Sequence, residues 1–279
     1  ITGGVPKYLE EITKQEPTSQ AMAGLCFDPS GILYRDFKSI FKDVFNRRAK
    51  GLEKIIRICL NERMTPSQLA KKMEKDQDGD FTYALHILEL SGFLSRDFLF
   101  NPLTGEASKF SYLRVKDNYT RFYLKIIEPL KKKIESGGKH ILDVKDLKNI
   151  ESLMGYQFEN LILANKDIVH SLLKISDHQV ISSAPFVQKK TARTPKACQI
   201  DLLIHTDLDV FYLCEFKCQK EIDSEVISEV SKKMAAIVLP KRASLKSVLI
   251  YEGDIKPSHF NKVENFFYKI IPFSEMMKE

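Results

Sequence analysis

No run of apolar residues in this chain approaches the length of a membrane span, and no charged-then-apolar leader opens it, so neither a helical membrane protein nor a secretory precursor is expected. Paired cysteine motifs are missing as well. Cys26, Cys59, Cys198, Cys214 and Cys218 are odd in number, scattered, and contain no Cys-x-x-Cys. That argues against a disulfide framework or a zinc ribbon and for reduced, buried thiols in a cytoplasmic setting. A phosphate loop is lacking: Gly137-Gly138-Lys139 has no earlier glycine, and His140 stands where serine or threonine is required. His86, His140 and His170 are isolated from one another, so each reads as a structural or exposed histidine rather than a metal ligand. Extreme charge is absent too. A formal charge of +6 and a pI near 8.9 permit a polyanionic partner without requiring one.

What remains is an ordinary globular composition, 43% hydrophobic and 29% charged, over 279 residues, enough for two domains or three small ones. Residues 1–48 are mostly helical text broken at Phe27-Asp28-Pro29-Ser30-Gly31, too short for a core alone. They read as a docking or lid segment, and with Ile1 at the start the chain reads as a piece of something longer. Residues 49–135 hold Leu52, Ile55, Ile56, Cys59 and Leu60 at helical spacing, then Thr65-Pro66-Ser67-Gln68 as a helix start with threonine cap, early proline and glutamine three residues on. A third helix runs from about Phe81 through Leu85 and Leu88 to Gly92, a left-handed C-cap. Two strand-like segments around the turn Asn101-Pro102-Leu103-Thr104-Gly105 follow, giving the winged helix-turn-helix plan. A trailing helix over 118–134 ends in Lys131-Lys132-Lys133, a solvated helix terminus, and Ser136-Gly137-Gly138 reads as a linker. Residues 136–279 predict a long helix over 150–175, strands near 180–187, 197–205 and 210–218, a helix over 224–239, a strand at 247–251, a helix at 258–267 and a strand at 268–273. The order is αβββαβ with additions, an α/β sheet with helices on both sides.

Within that third stretch three short pieces share one chemistry: Glu159 on the helix, Asp201 on a strand, and Glu215-Phe216-Lys217 on the next. Carboxylates hold a hard cation through oxygen, and a lysine beside them orients water or steadies phosphate charge. A turn centred on Leu208 pairs residues whose numbers sum to 416. That register sets Asp201 opposite Glu215, Gln199 opposite Lys217 and Cys198 opposite Cys218, the last pair read as small core residues. Two carboxylates so close repel unless a cation or proton lies between them, and a slip of one residue would separate them. Lys189, Lys190, Arg193 and Lys196 form a basic loop between the first two strands, suited to nucleic-acid phosphates. The third helix of the winged-helix segment, with its approach, has three acids and no arginine or lysine, which disfavours sequence reading of DNA and favours packing or partner docking.

Four features together resemble the archaeal-type AAA+ ATPases: the opening Gly3-Gly4-Val5-Pro6-Lys7-Tyr8-Leu9, the winged helix, the Val115-Lys116-Asp117-Asn118-Tyr119 bridge into a helix with Phe122 and Tyr123, and the terminal acid–acid–lysine unit. The resemblance covers the part after the nucleotide-binding core. It implies a lid remnant (1–48), a winged helix (49–135) and a PD-(D/E)xK, restriction-endonuclease-like domain (136–279). It also implies Asp201 and Glu215 as ligands of Mg²⁺ or Mn²⁺, with the Phe216 carbonyl as a further one, Lys217 as catalytic lysine and Glu159 as the helix acid. ATP is expected only in the intact protein, whose upstream ATPase domain would be a partner, and assembly into an oligomer is compatible with this class. The leading expectation is DNA phosphodiester hydrolysis. The alternatives are a catalytically inactive nucleic-acid- or protein-binding module that regulates the ATPase, and a winged-helix DNA-binding regulator.

Overall fold

The computed structural model describes residues 1–12, 18–136, 144, 147–192, 194 and 196–278. Gly137, Gly138, Lys139, His140 and Arg193 therefore lie outside the described residues. Helices precede a five-stranded mixed sheet, an α+β arrangement, and the chain separates into two units. No helix among the described residues is long and apolar enough to cross a membrane.

The first unit comprises Ile1–Arg96 and Tyr112–Leu153. Its helices are α1 (Pro6–Glu10), α2 (Thr18–Phe27), α3 (Ile32–Phe45), α4 (Ala49–Cys59), α5 (Pro66–Met73) and α6 (Gly79–Leu90). Strands β1 (Leu94–Phe100) and β2 (Ala107–Val115) follow, their residues 97–111 counted with the second unit, then α7 (Asn118–Phe122), a π-helical turn over Tyr123–Ile127, and α8 (Glu128–Glu135). The local signals act as expected. Thr65 and Gln68 form a reciprocal capping box at the start of α5, with the Gln68 Oε1 accepting from the Thr65 N–H at 2.8 Å. Asp78 caps α6 through the Phe81 N–H at 2.8 Å. Gly92, at φ +77°, closes that helix while the Phe93 N–H returns to the Leu88 carbonyl at 3.0 Å. The expected helix over 118–134 is interrupted by the π turn.

Residues of the opening 48 share one core with those that follow. Leu33, Phe37, Phe41 and Phe45 recur every four residues on α3, and all are buried. Phe37 stacks on Tyr123 with centroids 4.2 Å apart, and Phe41 meets Phe93 at 4.9 Å. The buried Tyr119 hydroxyl donates to the Leu33 carbonyl at 2.8 Å. Arg57 reaches both carboxylate oxygens of Glu128 at 2.6 and 2.7 Å, a fork geometry that fixes α4 to α8.

The second unit comprises Asp97–Ser111 and Met154–Glu279. Its elements are α9 (Ile150–Ala164, from Met154 onward), α10 (Lys166–Leu172), β3 (Val180–Gln188), β4 (Cys198–Thr206), β5 (Val210–Ile222), α11 (Glu225–Ala236), β6 (Ser244–Ile255), α12 (Phe260–Phe266), β7 (Lys269–Pro272) and α13 (Phe273–Met276). The helix expected over 150–175 is broken at Asn165, whose side-chain amide donates to the Leu161 carbonyl at 2.8 Å and competes with the backbone ladder. The strands lie in the order β3-β4-β5-β6-β7, antiparallel as far as β5 and parallel from there.

Period-two alternation divides the sheet between two cores. Tyr212, Cys214, Phe216, Val248 and Ile250 face the side covered by Phe158 and Ile162 of α9, Val169 of α10 and Met276 of α13. Phe211, Leu213 and Leu249 face Val226 and Val230 of α11 and Val263 of α12. Buried His170 sits on α10, its Nε2 2.9 Å from the Ser183 hydroxyl, and burial holds its pKa below the ordinary value, so it is a neutral structural histidine. His86 is exposed.

Candidate functional site

The register of β4 against β5 is the one the turn at Leu208 dictates. Leu202 pairs with Cys214, Leu203 with Leu213, Ile204 with Tyr212 and His205 with Phe211, each summing to 416. The ladder ends at Leu202, because β4 bulges there. Between Ala184–Leu203 and Phe186–Ile200, β3 advances two residues while β4 advances three. Pro185 lies opposite the extra residue, where a proline without an N–H loses no ladder bond. Alternation flips across the bulge, so Ile200 shares a core with Leu203.

This corrects three expected oppositions. Asp201 does not stand in the ladder across from Glu215; its Oδ2 turns to accept the Phe216 N–H at 2.9 Å. The β4–β5 ladder likewise stops short of Gln199 and Lys217, and Gln199 pairs on the other edge of β4 with Val187. Cys198 pairs with Gln188 and packs with the α11-side core, whereas Cys218 packs with the α9-side core. A bulge changes which face each residue takes, and sequence alternation alone does not reveal it.

The carboxylates nevertheless converge on α11. Glu215 is 3% exposed, and its Oε2 accepts from Lys233 Nζ at 2.5 Å. Lys217 Nζ lies 3.4 Å from Glu215 Oε1 and 2.5 Å from Glu229 Oε2. Half-buried Asp201 lines a depression of about 450 Å³ with Cys198, Gln199, Glu229, Lys232 and Lys233. Burial raises the Glu215 pKa above the carboxylate range, and the Asp201 charge adds to that, against the opposing pull of Lys233 and Lys217. For Lys217 burial alone would lower the pKa, but Glu229 and Glu215 outweigh it and keep the ammonium charged.

Glu159 is carried by a different helix. It is half-buried on α9, whose neighbours Phe158 and Ile162 enter the core beneath the opposite face, and it does not line this depression. On α11 two residues one turn apart reach the strand residues, Lys233 pairing with Glu215 and Glu229 with Lys217. Their signal was present in the sequence: Lys233 continues the stripe of Val226 and Val230, so a lysine sits on the face of a helix that must be buried.

The basic loop borders the same place. Lys189, Lys190 and Lys196 are exposed, and Arg193 lies outside the described residues. Gln188, 8% exposed, anchors the loop: its amide donates to the Lys196 and Ala236 carbonyls, both at 2.7 Å, and its oxygen accepts from the Val238 N–H at 3.0 Å. One side chain thus ties the basic loop to the end of α11. Gln188→Leu is expected to release the loop without unfolding the sheet. Trypsin cleavage after Lys189, Lys190 or Lys196 should then accelerate about tenfold, the mark of a lower local opening free energy; an unchanged rate would deny Gln188 this role.

No protein-family profile matches this chain, and no curated protein matches its sequence.

Proposed function

We propose that this chain is the C-terminal part of an archaeal-type AAA+ ATPase, with residues 1–48 a lid remnant, 49–135 a winged helix and 136–279 a PD-(D/E)xK nuclease-like domain that hydrolyses a DNA phosphodiester with Mg²⁺ or Mn²⁺. One observation carries the catalytic reading: a strand bulge turns Asp201 toward the strand that bears Glu215 and Lys217, so two carboxylates and a charged lysine meet beside a solvent-open depression. The wider resemblance draws support from its two quoted motifs being neighbours. Tyr8 of the opening motif packs on Tyr119 of the bridge at 5.3 Å, and a Cβ on Gly3 would sit 3.2 Å from Asp117 Oδ1.

A hard divalent cation suits this donor set, because Glu215 is a buried carboxylate whose pKa is raised first by that burial and then by the charge of Asp201 beside it, and a cation between the two acids would offset both costs. Asp201 and Glu215 would hold it, with the Phe216 carbonyl as a further oxygen. When bound, such an ion polarises a phosphoryl oxygen and lowers the pKa of water. The rest of the work belongs to the chain. Lys217, kept charged by Glu229 and Glu215, faces the developing phosphate charge. Lys232 at the depression and Lys189, Lys190 and Lys196 on the loop draw the phosphate chain toward it.

A second reading has its own observation. Both lysines are already engaged with carboxylates, which suits a domain that binds nucleic acid or protein and regulates the ATPase without cutting. Plasmid or oligonucleotide incubated with Mg²⁺ or Mn²⁺ separates the two. Cleavage by the wild type and none by Asp201→Ala is the expected result. Cleavage that persists in Asp201→Ala sinks the site, and DNA retained without metal-dependent cleavage selects the regulatory module.

A further inference from the structure

We propose that Lys233 is the resident cation of the carboxylate site, and that a divalent cation enters by displacing its ammonium from Glu215. The inference rests on the metal-dependent reading of this site and adds the residue that controls its occupancy. Lys233 and Lys217 both touch Glu215, but they are held differently. Lys217 lies between Glu215 and Glu229, at 3.4 and 2.5 Å, so it keeps a carboxylate whatever happens at Glu215. Lys233 makes one ion pair among the described residues, to Glu215 Oε2 at 2.5 Å. Of the two cations it is the exchangeable one.

The side chain suits exchange. Lysine is a compact charge on a flexible stem, without the fork that would fix an arginine on a carboxylate. Its alkyl stem continues the Val226–Val230 stripe, so the stem stays packed while the tip moves. Lys233 also lines the depression that holds Asp201 and Glu229, which gives the ammonium a solvated place to go. Charge points the same way. A divalent ion arriving at buried Glu215 would meet the Lys233 ammonium already in contact with Oε2, so the two cations compete for one carboxylate. Lys233 thereby screens Asp201 from Glu215 in the metal-free protein and sets a threshold that a doubly charged ion passes more readily than a singly charged one.

The test is direct Mn²⁺ binding, followed by electron paramagnetic resonance of free Mn²⁺ and independent of cleavage. Wild type, Lys233→Met, Lys233→Arg and Asp201→Ala are compared, each with its melting temperature measured in EDTA. Lys233→Met is expected to bind Mn²⁺ about tenfold more tightly than wild type, the scale of removing one competing charge at contact distance. Lys233→Arg should bind no more tightly than wild type, and Asp201→Ala should lose binding. If Lys233→Met fails to fold, Lys233→Gln replaces it, keeping a hydrogen bond to Glu215 without the charge. Binding that depends on Asp201 but is unchanged or weaker in the neutral Lys233 variants overturns this inference alone. No Mn²⁺ binding by any of the proteins overturns the metal-dependent reading together with it.

Discussion

Asp201→Asn is expected to reduce metal-dependent cleavage about a thousandfold or more while raising the melting temperature. The loss follows from charge: an amide cannot balance a divalent cation. The gain follows from geometry. Asparagine offers a carbonyl oxygen where Asp201 Oδ2 accepts the Phe216 N–H, so the backbone contact at 2.9 Å survives. What disappears is the repulsion that helps raise the Glu215 pKa. Glu215 is 3% exposed, so that repulsion is little screened by solvent. A gain of about 1 kcal/mol, or roughly 2–4 °C for a domain of this size, is the expected scale. Sites that gather like charges for a ligand hold the metal-free fold below its attainable stability. Thermal unfolding in EDTA beside a cleavage assay reads both quantities. A variant that loses activity and also loses stability would mean that Asp201 braces the bulge more than it strains the site.

Element order and strand register were legible in the sequence for a physical reason. Gly, Pro and capping signals act within a few residues, and a short turn at Leu208 leaves β4 and β5 only one way to pair. The αβββαβ order and the alternation of β5 and β6 between two cores followed from period-two apolar patterns. The bulge at Asp201 was not legible, because it arises from β3. Pro185 withdraws a donor opposite β4, and the response appears at Asp201, sixteen residues further along the chain and beyond any local window. The site was legible in its strand half and hidden in its helix half. Asp201, Glu215 and Lys217 follow from the hairpin, whereas Glu229 and Lys233 reach them through the packing of α11, which no spacing along β4 or β5 encodes. Glu159 illustrates the converse. An acid on an apolar helix face suggests an inward role, yet its helix covers the other side of the sheet.

Gly253→Ala is expected to cost about 3 kcal/mol or more and to weaken the site through Lys217, although residue 253 lies outside the site. Past Cys218 the register of β5 against β6 shifts, so that Glu221 rather than its predecessor meets Asp254. Gly253 sits opposite the extra length at φ +113°, a conformation that side chains rarely adopt. A Cβ there would fall 1.8 Å from the Gln219 carbonyl oxygen and 2.9 Å from its carbon. Those atoms are backbone, so relief requires the strand itself to move, and Gln219 is two residues from Lys217 on that strand. Gly92→Ala supplies the comparison. Its φ is +77°, but a Cβ there meets nothing within 4 Å, so only conformational strain of about 1 kcal/mol is expected. Urea unfolding of the two variants should separate them by about 2 kcal/mol, and only Gly253→Ala should lower cleavage. Equal losses would mean that β5 yields freely at Gln219, and a strand that yields there could not hold Lys217 between Glu215 and Glu229 with the precision phosphate chemistry demands.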